Sequence, residues 1–139
     1  MSKFDRRDRV RQLLYTSKAV AGIVERDVRM IVGASQYRNS LDRITGILLF
    51  DGLRFMQFIE GSDVAVSSLM DRLYADVRHR EVIVMHDAAA ERRSFPIWSM
   101  RWVHLDNAHD ARRHTITRMV PGTIDPGVRD QFYGFVAPG

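Results

Sequence analysis

The most constraining feature of this chain is a pair of apolar runs on either side of Asp51-Gly52. Ile44 to Phe50 and Arg54 to Glu60 have strand composition, and Asp-Gly between two such runs is the strongest short hairpin signal. Both runs are apolar on both faces: Ile47, Leu48, Leu49 and Phe50 in one, Phe55, Met56, Phe58 and Ile59 in the other. Alternate residues of a strand point to opposite sides of its sheet, so both sides of this hairpin must be covered. One polar residue interrupts the second run. Gln57 shares a face with Phe55 and Ile59, and a buried glutamine costs stability unless both ends of its amide are hydrogen-bonded.

The flanking sequence supplies the rest of an α+β fold. After a charged leader at residues 1–9, Val10 to Ser17 is a short β-rich stretch containing Tyr15. Ile23 to Asn39 reads as a helix, with Val24, Val28, Ile31, Val32 and Ser35 on one face of a 3.6-residue repeat. Ile31, Ser35 and Asn39 form a stripe that ends polar, and Asn39 by itself is an ordinary helix C-cap. Gly61-Ser62 stops the second hairpin strand and offers Ser62 as an N-cap. Val66, Leu69, Met70, Leu73 and Val77 mark a second amphipathic helix. Glu81 to Met85 and Trp98 to Leu105 read as strands, with Trp98 and Met100 alternating on the last.

The order β-α-β-β-α-β-β predicts a ferredoxin-like sandwich, a five-stranded mixed sheet with two helices on one face. Right-handed crossovers are expected to place the first and third strands parallel and adjacent. Two helices cover one side only, which leaves the other to the tail, to another subunit, or to both. The tail, residues 106–139, offers a thin helix at Asn107 to Met119, two Pro-Gly breaks, and Phe132, Tyr133 and Phe135 to dock its end. The apolar back of the sheet therefore suggests at least a homodimer or higher homo-oligomer. The alternative is that the tail aromatics seal that face within one chain.

Several chemistries are absent. Without cysteine there is no disulfide scaffold, thiol catalysis or zinc-thiolate site. No Gly-rich phosphate loop, no G-x-S-x-G elbow and no H-E-x-x-H occurs. The five histidines show no ligand spacing, so no metal site is expected. Net charge is +4, and all basic residues but Lys3 and Lys18 are arginine. That suits phosphate groups, yet acids interleave nearly every basic cluster. An RNA-binding sheet of this fold carries exposed aromatics in Gly-aromatic signatures that are missing here. Apolar runs such as Ile47 to Phe50 are far too short to cross a membrane. Met1 to Arg9 lacks the apolar stretch of a signal peptide, so the cytoplasm is the expected location, with neither nucleic acid nor membrane as partner.

Taken together, the residues resemble the BLUF family of flavin-binding blue-light sensors, in its short single-domain form. The likeness runs from about Val10 to Trp102, within a domain expected at residues 10–105. It is densest in Arg38-Asn39, in Ile44-Thr45-Gly46-Ile47-Leu48-Leu49 and in Phe55-Met56-Gln57-Phe58-Ile59-Glu60-Gly61. Asp76-Val77-Arg78-His79 and Trp98-Ser99-Met100 follow at the family's spacing.

The resemblance implies non-covalently bound FAD between the two helices and a role for each matching residue. Tyr15 matches the tyrosine that gives an electron and a proton to the excited flavin. Gln57 matches the glutamine that bridges the tyrosine and the flavin, and switches. Trp98 and Met100 match the pair beside that glutamine. Asn39 matches the residue bonding the flavin ring, and Ile31 and Ser35 positions on the flavin-facing side of the first helix. Arg38 falls where the family varies. Arg72 and Asp76 match second-helix positions near the ring, although at i, i+4 they also read as an ordinary helix pair. Arg78 and His79 match positions near the cofactor's ribityl–phosphate exit. The implied protein is a photoreceptor, not an enzyme, whose signal passes to a separate effector protein or through changed self-association. A light-independent flavin- or ligand-binding regulatory module of the same fold is the alternative.

Overall fold

The computed structural model of the chain describes residues 9–20, 22, 25–77, 79–96, 100–105 and 108–137. The elements are β1 (Val10–Ala19), α1 (Glu25–Asp42), β2 (Thr45–Phe50), β3 (Arg54–Gly61), α2 (Asp63–Ala75), β4 (His79–Ala90), β5 (Arg101–His104), α3 (His109–Met119) and α4 (Pro126–Val136). The five strands form one mixed sheet in the order β4-β1-β3-β2-β5. The fold is α+β and ferredoxin-like, as its sequence implies. Among the described residues no helix is long and apolar enough to cross a membrane.

The hairpin sits at the centre. Asp51 closes its turn by accepting from the backbone N–H of Leu53 at 2.9 Å and of Arg54 at 2.7 Å, while Gly52 takes a φ of 99°. Gly46 is held where no side chain fits: a Cβ there would stand 1.8 Å from the Phe58 carbonyl oxygen of the partner strand. β1 and β3 are adjacent, but antiparallel rather than parallel. The helical crossover leads from β1 to β2, and the hairpin then turns β3 back between them. β5 lies parallel to β2 on the far edge. β4 is longer than Glu81–Met85 because two irregularities let it follow β1, one beside Ser17 where Glu81 takes a φ of 51°.

Alternation along the strands separates two cores. On one face Leu13, Tyr15, Leu48, Phe50, Phe55 and Ile59 meet Val28 and Val32 of α1 and Val66, Leu69, Met70 and Leu73 of α2. On the other, Leu14, Ile47, Leu49, Met56 and Phe58 meet Ile116, Ile124, Val128, Phe132, Phe135 and Val136. The tail thus covers the sheet face on which the sequence placed a homodimer contact. Burial within one chain removes the exposed patch that suggested it.

Pro126-Gly127 opens a helix instead of breaking the chain. Asp125 caps it by accepting from Gly127 and Val128, and proline is favoured in the first turn, where its missing N–H costs nothing. Tyr133 is only partly buried, its hydroxyl 2.8 Å from the Thr117 hydroxyl.

Candidate functional site

The face under α1 and α2 is not fully closed. A cavity of about 310 Å³ lies between the sheet and the two helices, lined among others by Tyr15, Leu48 and Gln57. Each helix contributes one repeat: Ile31, Ala34, Ser35 and Arg38 from α1, then Leu69, Arg72, Leu73 and Asp76 at and just beyond α2. Both sets follow i, i+3, i+4, i+7, the spacing of one helical face. Asn39 completes the lining.

Tyr15 and Gln57 face each other because β1 and β3 pair them directly in register. Both are buried, and the Tyr15 hydroxyl donates to Gln57 Oε1. Gln57 Nε2 donates to the thioether sulfur of Met100 at 3.2 Å. The amide is therefore engaged at both ends, one partner on each side. Burial, with the charge of Asp76 adding to it, pushes the Tyr15 phenol above its ordinary value of 10.0. The phenol stays protonated and able to donate. Met100 is fixed in turn by Gln36, whose Nε2 donates to its carbonyl at 2.8 Å.

Asn39 is not the end of its helix. α1 runs on to Asp42, and Arg43, at a φ of 56°, makes the turn. The carbonyl of Asn39 accepts from Ile44 at 2.8 Å and that of Ser40 from Arg43 at 3.4 Å, a Schellman pattern. The Asn39 side chain is thereby released from capping. It is 1 % exposed, and its Nδ2 is a buried polar atom without a partner among the described residues. Such an orphan inside a cavity wall calls for an acceptor supplied by a ligand.

Arg38 Nε and Arg72 Nη2 each lie 3.6 Å from Asp42, and Arg72 also donates to Ser68 at 2.9 Å. The structure thus brings Tyr15, Ile31, Ser35, Arg38, Asn39, Gln57, Arg72 and Asp76 to one cavity, with Met100 against Gln57. Arg78, Trp98 and the side chain of His79 lie outside the described residues. Sequence reasoning missed Ala34, Leu69 and Leu73, which the helical repeat through Ile31 and Arg72 would have found. Gln36, whose exposed helix position disguises its bond to Met100, carried no such signal. Among the described residues no cluster of His, Asp and Glu is arranged to hold a metal.

A flavin suits this site: apolar walls for a ring, polar side chains at its rim, and an unpartnered amide N–H. The volume falls at the lower end of the roughly 300–1,000 Å³ of small-molecule sites.

Comparison with known proteins agrees. The family model described as "BLUF: Sensors of blue-light using FAD" matches residues 10–101. The photoactivated adenylate cyclase subunit beta of Euglena longa is 32% identical over 89 residues, which are 63% of this chain and 10% of that protein. The solved structure of BlrB, a BLUF protein in its dark state, is 31% identical with a TM-score of 0.74, covering 94% of this chain and 97% of that one. Klebsiella pneumoniae BlrP1 with FMN and cyclic diGMP is 30% identical with a TM-score of 0.81, covering 94% of this chain and 35% of that one. The chain thus spans about a tenth of the Euglena cyclase subunit and about a third of BlrP1.

Proposed function

This chain belongs to the BLUF family of flavin-binding blue-light sensors, and on that premise we propose that Tyr15 and Gln57 form its light-driven switch, with FAD as the flavin. The observation that carries the reading is the Gln57 amide, held between the Tyr15 hydroxyl and the Met100 sulfur at the wall of the cavity. A bound flavin supplies blue-light absorption and, once excited, an acceptor for one electron and one proton.

The residues of the chain do the rest. A phenol that loses an electron becomes a strong acid, and the Tyr15 O–H already points at Gln57 Oε1. Gln57 can take that proton on Oε1 and pass another from Nε2 toward the cavity. If the side chain turns about its Cγ–Cδ bond before the electron and proton return to Tyr15, the amide is left with its donor and acceptor ends exchanged. The two ends are nearly equal in shape, so the reversal meets little steric resistance. Nothing is consumed, as a sensor requires. Asn39 Nδ2 would donate to a ring carbonyl, and Arg38 and Arg72 stand where a phosphate-bearing tail can compete with Asp42.

The signal then goes to a separate effector protein. Self-association remains a second route, by a surface other than the sheet face now covered by α3 and α4. A pull-down in light against dark, with light scattering on the same samples, separates the two.

The switch itself is tested by Gln57→Leu and Tyr15→Phe. Each variant should bind flavin and lose the reversible red shift under blue light. A normal red shift in either overturns the assignment. Extracting the flavin and separating FAD from FMN by chromatography tests the cofactor.

A further inference from the structure

Glu60 is the most deeply buried acid among the described residues, with no exposed surface. It lies three positions beyond Gln57 on β3, on the opposite face of the sheet. Its Oε1 accepts from the Phe95 backbone N–H at 2.7 Å. Its Oε2 accepts from the Ser94 backbone N–H at 2.6 Å and from Gln12 Nε2 at 3.1 Å. Arg93 donates to the Glu60 carbonyl at 3.0 Å and to Thr45 at 2.9 Å. Taking a carboxylate out of water costs several kcal/mol even after relaxation. Here three N–H donors offset that cost, and only an acceptor-only group satisfies all three.

What the carboxylate holds is the connection between β4 and β5. Ser94 and Phe95 are pinned, and the Phe95 ring packs edge-on against Phe58 with centroids 5.7 Å apart. Met100, five positions later in the sequence, lies on the opposite face, where its sulfur meets Gln57 and its carbonyl meets Gln36. Phe95 and Met100 are thus anchored on opposite sides of the sheet.

We propose that Glu60 is a positioning residue for the switch: by fixing Ser94 and Phe95 on the tail-covered face, it sets where Met100 meets Gln57 on the flavin face. The inference rests on reading Gln57 as the switching amide. It also makes the connection two-way. A shift of Met100 reaches the Phe95 seat, which shares Phe58 with Phe132 of α4.

The test uses the flavin-loaded full chain with isotope-labelled methionine methyls. Glu60→Gln keeps the size but turns an –NH2 donor toward a backbone N–H. The Met100 methyl resonance should move while that of Met30, exposed on α1, stays. Recovery of the dark spectrum should slow roughly tenfold, the factor carried by one lost bond to a charged group, because Nε2 loses a well-placed dark-state acceptor. Ile116→Val, a small cavity on the tail side, is the stability control and should move neither readout. Should Glu60→Gln not fold, Gln12→Leu removes one donor of the three and should shift both readouts in the same sense.

Acid supplies a third arm. Burial holds Glu60 above the ordinary carboxylate value against the pull of Ser94, Phe95, Gln12 and the Arg93 charge. Lowering the pH toward the carboxylate range should therefore protonate it early and slow wild-type recovery, with no such step in Glu60→Gln. An unmoved Met100 methyl with unchanged recovery overturns the proposal. A wild type without a red shift overturns the switch reading instead, and the methyl then decides the clamp by itself.

Discussion

The two faces of the sheet are built from the same strands and solve opposite problems. Under α1 and α2 the packing is left incomplete: Ala34 and Ser35 are small, and a cavity with buried Tyr15, Gln57 and Asn39 remains. Under α3 and α4 the space is filled, with Phe58, Phe95, Phe132 and Phe135 in one aromatic-rich core. Gln57 stands between Met56 and Phe58, so adjacent residues of β3 belong to different faces. A period of two thus keeps a polar switch out of the apolar core while leaving it one peptide unit away.

The sharpest way to break the comparison is to empty the filled face. Phe132 is fully buried among residues of β3 and the tail. Phe132→Ala should cost about 3–5 kcal/mol, the usual loss for a large aromatic in a core, seen as a fall in the denaturant midpoint. The switch face should stay intact as far as the domain remains folded, so flavin bound per folded molecule should be unchanged. A variant of wild-type stability would mean that the tail does not pack as described.

The open face should answer differently. Asn39 Nδ2 has no partner among the described residues, so Asn39→Ala should change the stability of flavin-free protein little. With flavin it should lose about 1–3 kcal/mol of affinity, the cost of an unmade buried hydrogen bond. Titrating flavin into both proteins, beside their unfolding curves, gives the two numbers. Equal affinity would leave Asn39 a bystander in the wall.

Legibility in the sequence followed the same division. Tyr15 and Gln57 could be singled out because a polar side chain inside an apolar run is costly and therefore visible. The back face was legible as a need, not as a solution. Asp125-Pro126-Gly127 reads as a break by residue type, whereas the Asp125 cap turns it into a helix start. The sense of β1 against β3 depends on which strand the crossover reaches, and no residue in either strand reports that. Glu60 and Gln12 were hidden because each passes for an edge-facing polar residue until the β4–β5 connection folds over them.

The most gradual effect is expected at alkaline pH, and it probes the boundary between the faces. Burial raises the Tyr15 phenol above its ordinary 10.0. Between that value and the raised one, the unfolded chain has released the proton while the folded chain still holds it. The folded state then binds more protons, and stability falls as pH rises. Below pH 10 the Tyr15 contribution is fully present; above it the loss approaches about 1.4 kcal/mol for each unit of pH until the folded phenol itself ionises. Other groups titrate in the same range, so the measurement is a difference between wild type and Tyr15→Phe, unfolded in denaturant across the alkaline series. The variant should lack this part of the slope. Parallel curves would show that the Tyr15 site admits water and that the cavity wall is less dry than its packing implies.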